Sequence, residues 1–515
     1  MKRNLLLIIS TGLLISACIS CTTSNSSVEP SKVSEQSSLS DSITSVNSQE
    51  SISLESSILV SSEEKIISSE SSVISQSSSS SEKISSAESS ESSGQIDDKT
   101  RSITVKYSGA LDSTKQYEYS FKYGAEMFDA SSSTFNGDIA LFAFGSSLAN
   151  VSKESITKFY SDAGFDNLYL SETYTKGHTD SSIGFAFAHK KEDDKELVSV
   201  SIQGFEYGRE WSDNFNIGIE GDHAGFAARA DEVKMFLKAY INSKGYSKEN
   251  VKLLVTGYSR AAAVANLLGK RINDDQSIAT VENTFIYTFE CPQCSILRGE
   301  YTNIFNVINN SDLITYFPPV EYGFARYGKD IDIYDENIDE LLTSYDEQLA
   351  LPPFTAIDET IPDEQSFIKY ILNSMLTYEE YSDGPKQTQT RAEFVNNYQS
   401  SIGYALSLFF SLKSSTVDKL KNDLSSQSMW ELMGLLTDDG LYTFLKPYLD
   451  EDGIQYNDEQ LRFHTNNATN FVLGPGQAIL GLAVNMDNLN RLISMHLPEI
   501  NYVLLLNLLS NNESK

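Results

Sequence analysis

Ser259 is the residue whose setting most suggests chemistry. It lies in Gly257-Tyr258-Ser259-Arg260-Ala261, inside VKLLVTGYSRAAAVANLLGKRI, where an apolar, strand-like run passes through the pentapeptide straight into a helical periodicity. A backbone that doubles back so tightly leaves no room for side chains around the central residue, and Gly257 and Ala261 provide small neighbours. The serine then stands at a helix N-terminus, where free N–H groups and the positive end of the dipole favour negative charge on an acyl adduct. The pentapeptide alone recurs by chance in serine-rich chains, so the strand before it and the helix after it give it weight. The plain alternative is a serine that only caps a helix after a glycine turn.

A serine hydroxyl is a poor nucleophile until a base takes its proton, so a histidine and an acid that orients it must lie nearby in space. The chain has five histidines, His178, His189, His223, His464 and His496. His189 falls in a strand of alternating character and reads as structural. His178, in TKGHTD, reads as a solvated loop residue, and His464, in RFHTNNATN, as part of a polar loop.

The elements that must position these groups alternate. Strand patterns occur at Ser102–Ser108, Gln116–Tyr123, Gly184–Lys190, Glu196–Gly204, Val251–Gly257, Thr284–Phe289 and Asn303–Asn309. Helical periodicities occur at Asp138–Val151, Lys153–Phe165, Phe226–Lys244 and Ser259–Ile272. This alternation predicts an α/β fold, a mostly parallel sheet with helices on both faces. From Asn337 to about Leu482 the pattern is mainly helical, a large insertion before His496, and more helix is expected over Asn485–Leu508.

Composition excludes several roles. With 39 Lys+Arg against 71 Asp+Glu the net charge is −32, which argues against gripping a nucleic-acid backbone or an anionic bilayer by charge. From Cys21 to Thr100, 33 of 80 residues are serine and none is aromatic, so residues 18–100 read as a disordered tether ahead of a globular region over 101–515. Residues 1–17 have a basic start, a short apolar run and small residues before Cys18, the pattern of a secretory signal too short to span a bilayer. The sequence ISAC closely resembles the lipobox of bacterial lipoproteins. That resemblance implies lipidation of Cys18 and an anchor on the extracytoplasmic face of a membrane.

VTGYSRAAAVANLLG resembles the corresponding turn of the class 3 lipases, the fungal-lipase-like branch of the α/β-hydrolases. GFAFAHKK, SIQGFEYGREWSDNFNIG, DHAGFAARADEV, NIFNVINNSDLITYFPP and YGFARYGKDI resemble further segments of that family in the same order. The resemblance implies a serine hydrolase of lipid carboxylic esters, with Asp312 as the acid and His496, in ISMHLPEINYVLLL, as the base. His464 is the rival base, and His223 matches a position near the site that is not the base. Asp312 also sits where chemistry would place it, at the carboxyl end of a strand one unit beyond the strand that follows Ser259. An aspartate serving only a turn is its plain alternative.

The implied oxyanion donors are the backbone N–H groups of Phe205 and Arg260. The family usually carries Arg-Gly-Ser or Arg-Gly-Thr where this chain has Gln203-Gly204-Phe205, so a hydroxyl is missing there. Loss of one such donor typically costs about 10²–10³ in rate. That departure motivates a second reading, a surface-displayed binding module on a weakened hydrolase fold. The insertion is expected to govern substrate choice, with Tyr404–Leu412 either lining an acyl groove or packing as core. Asp330, Asp332, Asp335 and Glu336 read as a solvated acidic loop rather than a calcium site. Cys291 and Cys294 form a lone CxxC, read as structural thiols, bridged or free. No phosphate loop, nicotinamide fingerprint or complete metal-ligand set is present, so no cofactor is expected.

Overall fold

The computed structural model describes residues 100–513 apart from 109–115, 178–181, 193, 205–212, 215, 297–298, 375, 377, 382–383, 388 and 474–485. The expected signal segment, tether and Cys18, together with Phe205 and His178, lie outside the described residues.

Two strands, β1 (Arg101–Ser108) and β2 (Gln116–Tyr123), form an antiparallel ribbon that buries Tyr119, Phe121 and Tyr123 from alternate positions. The central sheet has seven strands in sequential order. They are β3 (Asn167–Leu170), β4 (Phe185–Glu192), β5 (Lys195–Ile202), β6 (Val251–Tyr258), β7 (Thr284–Phe289), β8 (Ile304–Ile308) and β9 (Lys329–Asp332). The pairs from β3 to β5 are antiparallel and those from β5 to β9 parallel. This is the mostly parallel, α/β-hydrolase-type sheet expected.

Both faces are covered, which is why β7 is apolar without alternation and buried throughout. Helices α1 (Gly137–Ala149) and α2 (Lys153–Asp162) share one apolar cluster with Leu254, Tyr258 and the C-terminal helix. Helices α3 (Ala224–Lys244) and α4 (Arg260–Asp275) share the other with Leu253 and Val255. Successive residues of β6 thus enter opposite cores. Truncating any such fully buried leucine to alanine costs about 2–5 kcal/mol.

Strands β3 and β9 escaped the sequence reading. Each has four residues at a sheet edge, and β9, Lys-Asp-Ile-Asp, is largely exposed. Short, charged edge strands resist pairing with other chains, and the same features erase the apolar signal.

The insertion contains α5 (Ile338–Tyr345), α6 (Glu364–Ser374), α7 (Ser400–Phe410), α8 (Ser414–Ser426), α9 (Gly440–Asp452) and α10 (Asp458–Leu473). It also holds a hairpin, Tyr378–Tyr381 with Gly384–Gln387, which the helical reading did not include. Leu408 and Leu412 join Leu420, Leu449 and Leu461 in an apolar cluster of the insertion's own, so they pack as core.

The helix expected over Asn485–Leu508 is present as two segments, α11 (Met486–Ser494) and α12 (Pro498–Glu513), bent by 62°. Pro498 is the physical reason. Proline is favoured at a first helical position, and it pushes the preceding residue out of helical geometry. His496 lies in that break. His464 is not in a loop but on α10. Cys291 and Cys294 are buried free thiols, so the bridged alternative does not hold.

Candidate active site

Ser259 follows β6 and precedes α4, with φ 57° and ψ −125°, a backbone conformation sparsely populated by non-glycine residues. Two neighbours make that turn possible. A Cβ on Gly257 would lie 2.5 Å from the Ala261 carbonyl oxygen, and one on Gly204 would lie 2.2 Å from the Tyr258 oxygen. The serine occupies the helix N-cap position without making a side-chain cap. Its Oγ donates instead to His496 Nε2 at 2.8 Å.

His496 Nδ1 donates to Asp312 Oδ2 at 2.5 Å. The carboxylate only accepts, which puts the imidazole proton on Nδ1 and leaves Nε2 to accept from the serine. Asp312 is fully buried after β8, and its other oxygen accepts the Ile314 N–H at 2.8 Å. One side chain of Asp312 thus holds the turn at Ile314 and meets His496.

The break carrying His496 is tied back to β6. Tyr258 Oη donates to the His496 carbonyl at 2.9 Å and accepts from Asn501 Nδ2 at 2.8 Å. Asn501 also donates to the Met495 carbonyl at 2.9 Å, and Asn309 Nδ2 reaches the same carbonyl at 3.3 Å. Leu489 and Leu492 of α11 pack with Leu313, Phe367 and Ile371, while Arg491 pairs with Glu364 and, at 2.8 Å, with Asp339. The front of the insertion thus braces both Asp312 and His496.

The other described histidines are engaged elsewhere. His223 is stacked on Phe226 at 3.8 Å, and burial pushes its pKa down to about 3. His189 meets Tyr240 Oη at 2.6 Å, and burial lowers its pKa. His464 meets Ser401 Oγ at 3.0 Å and stacks on Tyr404, so it does not join Ser259 and Asp312.

Arg260 opens α4, which places its backbone N–H in the first helical turn beside Ser259. Its buried guanidinium binds Asp213 Oδ2 and the Ser182 carbonyl, each at 3.1 Å, and Arg229 shares Asp213. Asp330 and Asp332 of the acidic run lie on the edge strand β9 rather than in a loop; Asp330 is held by Arg326 and Asn306, and Asp335 accepts from Asn507. These carboxylates already have protein partners.

Sequence reasoning missed Tyr258, Asn309, Asn501, Asp213 and Glu290. Glu290 had one visible signal, an acid placed directly after the buried strand β7. A carboxylate oxygen of Glu290, one of Asp312 and an imidazole nitrogen of His496 all lie within 4.8 Å of one another.

Residues 199–322 match the family model of the lipase (class 3). The matched segment runs from β5 past Asp312, so it holds Ser259 and Asp312 and stops well short of His496. A secreted mono- and diacylglycerol lipase of Fusarium solani is 28% identical over 148 residues, 26% of this chain and 42% of that protein. The chain thus spans about two fifths of that relative's length. Among solved structures, the Rhizomucor miehei triacylglyceride lipase is 17% identical with TM-score 0.29, over 40% of this chain and 84% of that one. Lipase II from Rhizopus niveus is 15% identical with TM-score 0.28, over 39% and 83%.

Proposed function

We propose that the protein is a serine hydrolase that cleaves carboxylic esters of lipids, anchored by a lipidated Cys18 to the extracytoplasmic face of a membrane. The observation that carries the hydrolase reading is the chain of hydrogen bonds from Ser259 through His496 to Asp312, with the serine on a strained strand-to-helix turn. The class 3 lipase segment and the acylglycerol lipase among the relatives support lipid esters as the substrate class. The signal-like start and ISAC motif support the anchor.

In this reading Ser259 Oγ attacks the ester carbonyl carbon as its proton passes to His496 Nε2. Asp312 holds the imidazole tautomer and stabilises the imidazolium. The Arg260 and Phe205 N–H groups bind the oxyanion. Collapse expels the alcohol, which takes the proton from His496, and water then repeats the sequence to release the acid and free Ser259.

Hydrolysis of short- and long-chain p-nitrophenyl esters, with fluorophosphonate labelling, tests this. Ser259→Ala is expected to abolish labelling and to lower turnover by about 10⁴–10⁶. A folded wild-type protein that neither labels nor turns over would sink the hydrolase reading and favour the binding-module alternative. Labelling of Cys18 by a clickable fatty acid, lost in Cys18→Ala, tests the anchor.

A further inference from the structure

Glu290 is a carboxyl group where none is needed for packing or for the three-residue relay. It is the first residue after β7, it is 1% exposed, and its backbone sits at φ 47°. A glycine would take that left-handed conformation freely, whereas a side chain there costs about 1–2 kcal/mol. Such an outlier invites a functional explanation.

The surroundings of Glu290 narrow the explanation. Its two oxygens each lie 3.2 Å from the Asn309 N–H. Its carboxyl faces that of Asp312 closely enough to share a hydrogen bond. The other titratable groups that act on it are Tyr258 at the end of β6, His496 ahead of α12, and Arg326, while Glu499 on α12 faces the same Tyr258. The Arg326 guanidinium is engaged by Asp330, at 2.9 Å, and by the carbonyl of Cys291 at 3.0 Å. Among the described residues, Arg326 is the cation that acts on Glu290, and it is already engaged elsewhere; two carboxylates this close do not both ionise readily.

We propose that Glu290 is a positioning residue, a neutral carboxylic acid that donates a hydrogen bond to Asp312, fixes that carboxylate against His496 Nδ1 and weakens its pull on a protonated imidazole. The proton stays on Glu290, and its carbonyl oxygen accepts the Asn309 N–H. Burial foremost, and then the Asp312 charge, push the Glu290 pKa well above the carboxylate range, in keeping with this assignment. The catalytic meaning of the proposal rests on the hydrolase reading, but its proton arrangement can be tested separately.

The test is the pH titration of the His496 Cε1–H resonance in the full-length chain, assigned by its loss in His496→Gln. Glu290→Gln keeps a donor and an acceptor in the same places, so the midpoint is expected to stay where it is in the wild type. Glu290→Ala removes the donor and is expected to raise the midpoint by about one pH unit, tenfold in proton affinity. A midpoint lowered in both variants would mean that an ionised Glu290 had been removed, and would overturn the proposal. Unmoved midpoints in both would reduce Glu290 to a brace and overturn it equally.

Should Glu290→Ala fail to fold, Glu290→Gln decides through stability. A carboxyl whose folded pKa is raised withdraws stability as pH climbs above the unfolded value near 4.5, and a glutamine does not. The Gln variant is therefore expected to melt higher than wild type at pH 8 and alongside it near pH 4.5, and equal melting at both would overturn the proposal. Ester turnover is measured beside the titration. Its absence in the wild type would refute the hydrolase reading while leaving the Glu290 result standing.

Discussion

Ser259 and His496 meet in one hydrogen bond, yet the chain delivers them by opposite means. Ser259 is placed by its immediate neighbours, a buried strand, two small residues and a helix, all within VKLLVTGYSRAAAVANLLG. His496 comes from 237 positions away, in a break between two helices, and is held by Tyr258, Asn501 and the packing of α11 against α6. The first side of the site is covalent and local, and the second is assembled by tertiary contacts. Damage to the two sides is therefore expected to differ in kind, abrupt at the turn and graded at the histidine.

The largest effect is expected from Gly257→Ala. The added Cβ would meet backbone atoms of Ala261 at 2.5 and 2.6 Å, which no rotamer change relieves. Either the strand or the start of α4 must shift, and misplacing a reacting atom by about 1 Å costs on the order of 10² in rate. Steady-state turnover of a p-nitrophenyl ester and the rate of fluorophosphonate labelling are both expected to fall at least that far, although the Ser259 hydroxyl remains. Activity within threefold of wild type would show that the turn is less tightly determined than its geometry implies.

Asn501→Ala strikes the other side and is expected to do less. It removes donors to Tyr258 Oη and the Met495 carbonyl, both buried, at a cost of about 1–3 kcal/mol in stability. Tyr258 still holds the His496 carbonyl, so the imidazole keeps one of its anchors. We expect kcat to fall about tenfold with KM unchanged, the pattern of an interaction felt chiefly in the transition state. A variant that lost activity as completely as Gly257→Ala would erase the distinction between the two sides.

The same asymmetry explains what could be read from sequence. The turn at Ser259 was legible because strand, small residues and helix are contiguous, and Asp312 was legible because it ends a strand of clear pattern. His496 could be named only through the resemblance of its flanking residues, since no local periodicity connects it with Ser259. The break that carries it is marked in the sequence by Pro498, although the bend between the two helices is not. Asn501, Asn309 and Glu290 act through contacts between distant segments, and a polar residue's partner cannot be inferred when its neighbours in space are distant in sequence. His464 was misplaced for a related reason. The polar face of α10 reads as loop until Leu461 and Phe471 are seen entering two different apolar clusters.

The smallest effect on catalysis, and the most specific in pH, is expected at His223. This histidine entered the candidate list for its position ahead of Ser259, but it lies buried at the start of α3, stacked on Phe226 and bonded to the Asn214 carbonyl at 3.2 Å. Burial lowers its pKa from 6.5 to about 3. The unfolded chain therefore takes up a proton as pH falls through 6.5, while the folded chain stays neutral until about pH 3. The stability gained by keeping the ring neutral is present in full above pH 6.5 and is withdrawn as pH drops toward 3. At pH 4.5 the loss attributable to this one group amounts to about 2–3 kcal/mol. His223→Phe keeps the stack and removes the titration, so turnover at pH 8 is expected to remain within about twofold of wild type while the acid limb of urea-melt stability becomes shallower by that amount. Parallel acid limbs in the two proteins would place a charged His223 in the folded state, and would require an acceptor near the ring that takes up its proton's charge.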